Sequence, residues 1–68
     1  MEPALEDLIA ELRQLKASPS EIGSLQAMSR SIELLYAHDL LTLQERGNMN
    51  KRLRNRARAK IKEKRGSW

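Results

Sequence analysis

Basic residues dominate the stretch from Arg46 to Arg65, which holds ten lysines and arginines and one acidic residue, Glu63. A helix with that much like charge requires an anionic partner or water over most of its surface. Guanidinium and ammonium groups make strong hydrogen bonds to phosphate oxygens, so the chemistry that this stretch suggests is phosphate binding. The predicted binding residues are Arg46, Lys51, Arg52, Arg54, Arg56, Arg58, Lys60 and Lys62.

Catalytic chemistry has little support in the residue types. His38 is the only histidine, and although Asp39 beside it could orient a general base, the chain has no cysteine and no glycine-rich phosphate loop. A lone histidine at a helix end is usually a capping or surface residue. The ligand types and spacings also fail to form a metal site. We therefore expect a protein that is not an enzyme and that uses no metal, cofactor or small-molecule substrate.

The charge is distributed very unevenly along the chain. Residues 1–45 carry eight acidic and three basic residues, whereas residues 46–68 carry ten basic residues and one acidic residue. The overall net charge of +4 therefore combines an acidic half with a strongly basic half. Such asymmetry indicates a nucleic-acid, membrane-surface or acidic-protein partner. It equally allows the basic segment to pair with the acidic half of the same protein.

The size and apolar content of the chain limit its core. With 68 residues, two aromatic residues (Tyr36 and Trp68) and no phenylalanine, the chain can bury little apolar area, so we expect a homo-oligomer or an obligate partner. No apolar stretch approaches the roughly 20 residues that cross a membrane. The first residues are acidic, whereas a signal peptide begins with basic residues. We expect a cytoplasmic protein without membrane association.

The apolar spacing predicts an all-α fold that begins with a helical hairpin. A stripe at spacings of three and four, with Pro3 at the first position, predicts helix 1 over about 3–16. Ser18, Pro19 and Glu21 form a capping box that starts helix 2, over about 19–38, after a very short connection. Such a connection favours an antiparallel hairpin. The stripe residues of helix 1 are Leu5, Leu8, Ile9, Leu12 and Leu15.

Helix 2 has two faces that could contact other helices. One is an apolar arc that includes Ile22, and the other is a row of small residues, Gly23, Ala27 and Ser31, so we expect helix 2 to be the central helix. If this helix continued, Asp39 would fall in the apolar arc, and burying an unpaired carboxylate is costly. We therefore predict a turn at 39–41. The alternative is one continuous, bent helix over 19–63.

Helix 3 is predicted over about 43–62, starting at a second capping box formed by Thr42 and Glu45. Apolar residues recur every four positions in a narrow stripe with basic residues on both sides. Gly66 is expected to end the helical region, which predicts one small domain over 1–63 and a flexible tail over 64–68. The stripe residues are Met49, Leu53, Ala57 and Ile61.

The composition of helix 3 resembles that of arginine-rich helical segments that enter DNA or RNA grooves, and Asn50 and Asn55 could reach base edges. This similarity suggests a small regulator that binds DNA or RNA through helix 3, mainly by phosphate contacts. The alternative is an adaptor or inhibitor, for example of mobile-element origin, that docks the basic helix and an apolar face at Leu34 and Leu41 on an acidic partner protein. A membrane-surface helix is less favoured because the apolar stripe lacks Trp and Phe.

Overall fold

The computed structural model describes residues 3–66, which form three α-helices. They are α1 (Leu5–Gln14), α2 (Pro19–Ala37) and α3 (Leu43–Gly66), and the described residues contain no strand. The prediction of an all-α protein with three helices is therefore confirmed. The break between α2 and α3 excludes the alternative of one continuous helix over 19–63.

Both predicted capping boxes are present and set the first residues of α2 and α3. The Ser18 hydroxyl accepts a hydrogen bond from the Glu21 N–H at 3.1 Å, and the Glu21 carboxylate accepts one from the Ser18 N–H at 3.3 Å. Thr42 and Glu45 make the same exchange at 3.1 and 2.9 Å. These bonds satisfy amides that the helix cannot pair internally, and so the side chains at these positions determine where each helix begins.

The helix α1 begins two residues later than predicted. Its N-cap is Ala4, whose N–H donates to the Asp7 carboxylate at 3.3 Å, and Pro3 precedes the cap. Alanine offers no side-chain oxygen to the first turn, so this cap is only half of a capping box. The start of α1 consequently depends on Asp7 and on the acidic residues near the positive end of the helix dipole.

The first two helices end without glycine. Lys16 and Asp39, the residues that follow the C-caps, have positive φ angles of 62° and 59°. This left-handed turn lets the next amide bond back to the last helical carbonyls, the arrangement of a Schellman motif. The predicted turn at 39–41 is thereby confirmed. The closing hydrogen bonds are Ala17 N–H to Leu12 C=O and Leu40 N–H to Leu35 C=O, each 2.9 Å.

The central helix is α3, not α2 as the sequence suggested. Both α1 and α2 pack chiefly on α3, and they contact each other at only a few positions. The predicted packing of α1 against α2 as an antiparallel hairpin therefore stays a prediction. Ala57, which is fully buried near the middle of α3, leaves room for two helices to approach. Each helix supplies three core residues: Leu8, Ile9 and Leu12; Ile22, Leu25 and Ile32; and Leu53, Ala57 and Ile61.

Ion pairs show that α2 and α3 run antiparallel. Glu33, late in α2, pairs with Arg46 at the start of α3, while Glu21, early in α2, pairs with Lys64 near the end of α3. The helix α3 continues to Gly66, so residues 64–66 of the predicted tail over 64–68 are helical. The basic residues of its last turn have acidic partners on the other helices, which favours the helical conformation there. Residues 67 and 68, including Trp68, lie outside the described residues.

Candidate nucleic-acid interface

The middle of α3 presents an uninterrupted basic face to the outside. Residues 47–62 contain seven lysines and arginines and no acidic residue. One side of this segment is buried against α1 and α2, so its charges must lie on the flanks and the opposite side. Lys51, Arg52, Arg56 and Lys62 are all exposed there. At a rise of 1.5 Å per residue, the segment 51–62 covers about 16 Å of the helix.

The basic residues opposite the core follow two neighbouring rows along α3, since residues three or four positions apart lie on one side of a helix. Lys51, Arg58 and Lys62 belong to the first row, together with the amide side chain of Asn55. Arg52 and Arg56 form the second row. We call these six side chains the outer face of α3: Lys51, Arg52, Asn55, Arg56, Arg58 and Lys62.

The remaining predicted binding residues in this segment lie at its flanks. Arg54 and Lys60 are half-buried, on either side of the apolar stripe. Within the outer face, Arg58 is half-buried, and its Nη1 donates a hydrogen bond to Asn55 Oδ1 at 3.2 Å. That bond orients an arginine and an amide toward the same side of the helix. Asn50, in contrast, is half-buried and hydrogen-bonds Glu33, so it does not belong to the outer face.

Arg46, another of the predicted binding residues, makes its contacts with α2. Its Nε and Nη2 donate to the two carboxylate oxygens of Glu33 at 2.9 and 2.6 Å, and its guanidinium lies 4.7 Å from the centre of the Tyr36 ring. The hydrogen bonds between them lower the pKa of Glu33 and raise the pKa of Arg46. A two-pronged arginine–carboxylate pair fixes geometry as well as charge. Arg46 thus positions the first turn of α3 against α2.

Two basic residues that the sequence prediction omitted hold the other end of α3. Lys64 Nζ lies 3.2 Å from a carboxylate oxygen of Glu21, and Arg65 Nη2 lies 2.5 Å from one of Glu11. The bond from Lys64, followed by that from the Ser18 N–H, lowers the pKa of Glu21. The acidic residues in the first two helices were the sequence signal for these two ion pairs, because the charge asymmetry had already indicated that the basic segment could pair with the acidic half. Acidic partners therefore hold both ends of α3, and its outer face lies between these two ends.

The two predicted interface leucines are in different environments. Leu34 is 54% exposed on α2, whereas Leu41 is partly buried and packs against the core of its own chain. Two more exposed leucines, Leu40 and Leu43, lie near the turn between α2 and α3 at 67% exposure each. Leu34 is thus available to a partner, and Leu41 already contributes to the packing of the turn.

Comparison of the chain with protein-family models, with curated proteins and with solved structures found no match. Among residues 3–66, no three His, Asp or Glu side chains come together in a way that could hold a metal ion. Each helix in that range is too short or too polar to cross a lipid bilayer. The outer face of α3 is accordingly the strongest candidate site that the geometry offers.

Proposed function

We propose that this protein is a small, cytoplasmic, non-enzymatic regulator that binds DNA or RNA through the outer face of α3, mainly by phosphate contacts. The observation that carries the proposal is the segment 47–62, with seven basic residues and no acidic one, on a helix whose opposite side is the core. A polyanion that lies along this face meets several cations at once. Each phosphate that the protein neutralises releases counterions, which favours binding.

The composition of the outer face supports backbone contacts over base recognition. Base edges are read mainly by arginine, asparagine and glutamine in a groove. Here Asn55 is the exposed amide within the face, and its carbonyl oxygen already accepts a hydrogen bond from Arg58. Because α1 and α2 cover the other side of α3, that helix can enter a groove only to a limited depth. The expected binding is strongly dependent on salt and weakly dependent on sequence.

The test is a titration of labelled duplex DNA and of a labelled RNA hairpin with protein freed from co-purified nucleic acid, at 50 and 200 mM salt. If the face contacts four phosphates of a duplex, the affinity falls about 150-fold between these two concentrations. Saturable binding with such a salt dependence supports the proposal, and the preferred ligand identifies the nucleic acid. Light scattering of the free protein in the same buffer tests the homo-oligomer that we expect.

Two matched triple variants locate the site. Replacing Arg52, Arg56 and Lys62 by glutamine removes three charges from the outer face, and the slope of log affinity against log salt should fall by up to about 2.7. The control replaces Arg13, Lys16 and Arg30, which are exposed and distant from that face in the sequence, by glutamine. The net charge changes equally in both variants. Equal losses of affinity, or binding without salt dependence, would refute the proposed site.

A further inference from the structure

An apolar groove with a volume of about 490 Å³ lies between α2 and α3, next to the outer face of α3. Two of its floor residues, Ile32 and Leu53, belong to the core, so the groove opens directly onto the centre of the fold. The methionines beside them are unbranched and adapt easily to the shape of a bound side chain. The apolar floor consists of Met28, Ile32, Leu35, Met49 and Leu53.

The wall of the groove on α2 is low and uncharged. Ser24, Ala27 and Ser31 follow one another at spacings of three and four, and all three are exposed. Small side chains at that spacing allow the backbone of another helix to come close. The lining positions on α2 extend from Ser24 to Leu35, about 16 Å or three helical turns. These dimensions fit a helix of three to four turns.

The wall on α3 is positively charged. Arg52 and Arg56 line it one helical turn apart, both exposed, and none of the ten lining residues is acidic. A two-fold pairing of this groove with the groove of a second copy would bring these arginines against their own counterparts, and like charges at close range repel. The charge of the groove therefore selects against such a two-fold pairing and in favour of an acidic occupant.

We infer that this groove binds an acidic amphipathic helix of a partner protein. Apolar side chains of that helix, at i, i+3 or i+4 and i+7, enter the groove, and glutamates four residues apart on one flank pair with Arg52 and Arg56. The site does not depend on nucleic-acid binding. The two ligands would nevertheless compete, since Arg52 and Arg56 belong both to the groove and to the outer face of α3.

The first test uses two designed helical peptides of roughly 16 residues that share one apolar stripe. One carries glutamates and the other lysines on the flank that faces Arg52 and Arg56. Fluorescence polarisation measures their affinities for the full chain, and amide NMR shifts locate the bound peptide. We expect the glutamate peptide to bind at least tenfold more tightly, with shifts centred on Met28, Leu35 and Met49. Reversing the charges with R52E and R56E together should invert the preference between the peptides.

The second test fills the groove without changing a charge. Ser31→Trp places a large side chain on the α2 wall, and Gln26→Trp places the same side chain on another side of α2; both native residues are exposed, so the helix tolerates either change. The affinity for the glutamate peptide should fall at least tenfold in Ser31→Trp and stay the same in Gln26→Trp. Circular dichroism confirms that both variants are folded. Ser31→Trp keeps every arginine, so its nucleic-acid affinity should be unchanged.

Several results would overturn the inference. They include the absence of binding by either peptide, equal binding of both, and an equal effect of the two tryptophan variants. A dimer that Ser31→Trp dissociates would assign the groove to a second copy. A loss of nucleic-acid affinity in Ser31→Trp would assign the groove to nucleic acid instead. If the proposed function is wrong but this inference is right, the nucleic acids do not bind and the glutamate peptide does.

Discussion

The two sides of α3 perform different tasks within one segment of the helix. The inner side, with Leu53, Ala57 and Ile61, supplies one third of the buried core. The outer face, beginning at Lys51 and ending at Lys62, is basic and, apart from the half-buried Arg58, exposed, and it contributes no residue to that core. The difference shows that the folding and the proposed binding of this protein depend on one helix but on separate positions of it. Substitutions should therefore separate stability from binding.

The largest expected effect on the stability of the fold comes from Ala57→Arg. Ala57 is fully buried, so an arginine there must either displace a neighbouring helix or place an unpaired charge in the core. We expect a loss of about 3 kcal/mol or more in the free energy of unfolding, which is enough to unfold a domain of this size. Circular dichroism during urea titration measures it.

The matched control for this change is Ala59→Arg, two residues further along α3. Ala59 is exposed, and the same new side chain there should change the free energy of unfolding by no more than about 0.5 kcal/mol. It also adds a charge beside the outer face and should strengthen the binding of DNA or RNA. Similar losses of stability in both variants would mean that α3 does not pack through the side that contains Ala57.

A smaller effect is expected from acid, because protons remove the ion pairs at the ends of α3. The pKa values of Glu21 and Glu33 are lowered by their hydrogen bonds to Lys64 and Arg46. The unfolded chain, with glutamate pKa values of about 4.3, therefore takes up protons first as the pH falls. The stability that these pairs add is complete above about pH 5 and is lost as the pH passes below 4 and through the lowered pKa values.

Urea midpoints between pH 7 and pH 3 measure this loss, and Glu33→Gln provides the comparison. That variant lacks one of the pairs, so its midpoint should be lower at pH 7 and should change less with pH. If the variant and the original chain had parallel pH profiles, the Arg46–Glu33 pair would not stabilise the fold.

The smallest expected effect is a gain, from Lys16→Gly, which changes neither side of α3. Lys16 has a positive φ angle, a conformation that costs a residue with a Cβ about 1–2 kcal/mol. Glycine removes that cost but makes the unfolded chain more flexible, so the net gain should be at most about 1 kcal/mol. Thermal unfolding measures it. Asp39→Gly should gain less, because aspartate tolerates this conformation better than lysine does.

The local features of the fold could be predicted from short sequence patterns. The capping boxes at Ser18 and Thr42 use hydrogen bonds between residues three apart, so their signal is contained within four letters of sequence. The turn at Asp39 followed from the cost of burying its carboxylate. The end of α1 was predicted at residue 16 and lies at Gln14; no glycine marks it, because the left-handed residue is Lys16.

The packing of the helices could not be predicted in the same way. The apolar stripe of α3 is narrow, which made α2, with its two usable faces, the more plausible central helix. The central helix is nevertheless α3, because the small, fully buried Ala57 lets two helices contact the same short segment. The groove beside Met28 and Met49 arises only when α2 and α3 are packed, and no pattern within one helix shows it. Of the candidate site, the outer charges were predictable and their apolar neighbour was not.

The central position of α3 also affects how the chain folds as it is made. Synthesis proceeds from the N-terminus, so α1 and α2 emerge before the helix on which both of them pack. Until residues 53–61 follow, the apolar sides of the first two helices remain uncovered, which is the condition under which nascent chains aggregate or bind chaperones. The acidic charges of residues 1–45 keep this N-terminal part of the chain soluble until α3 has been made. The folding of the chain is therefore completed at α3, and a chain shortened before Leu53 would contain the sequences of the first two helices without the helix segment on which both of them pack.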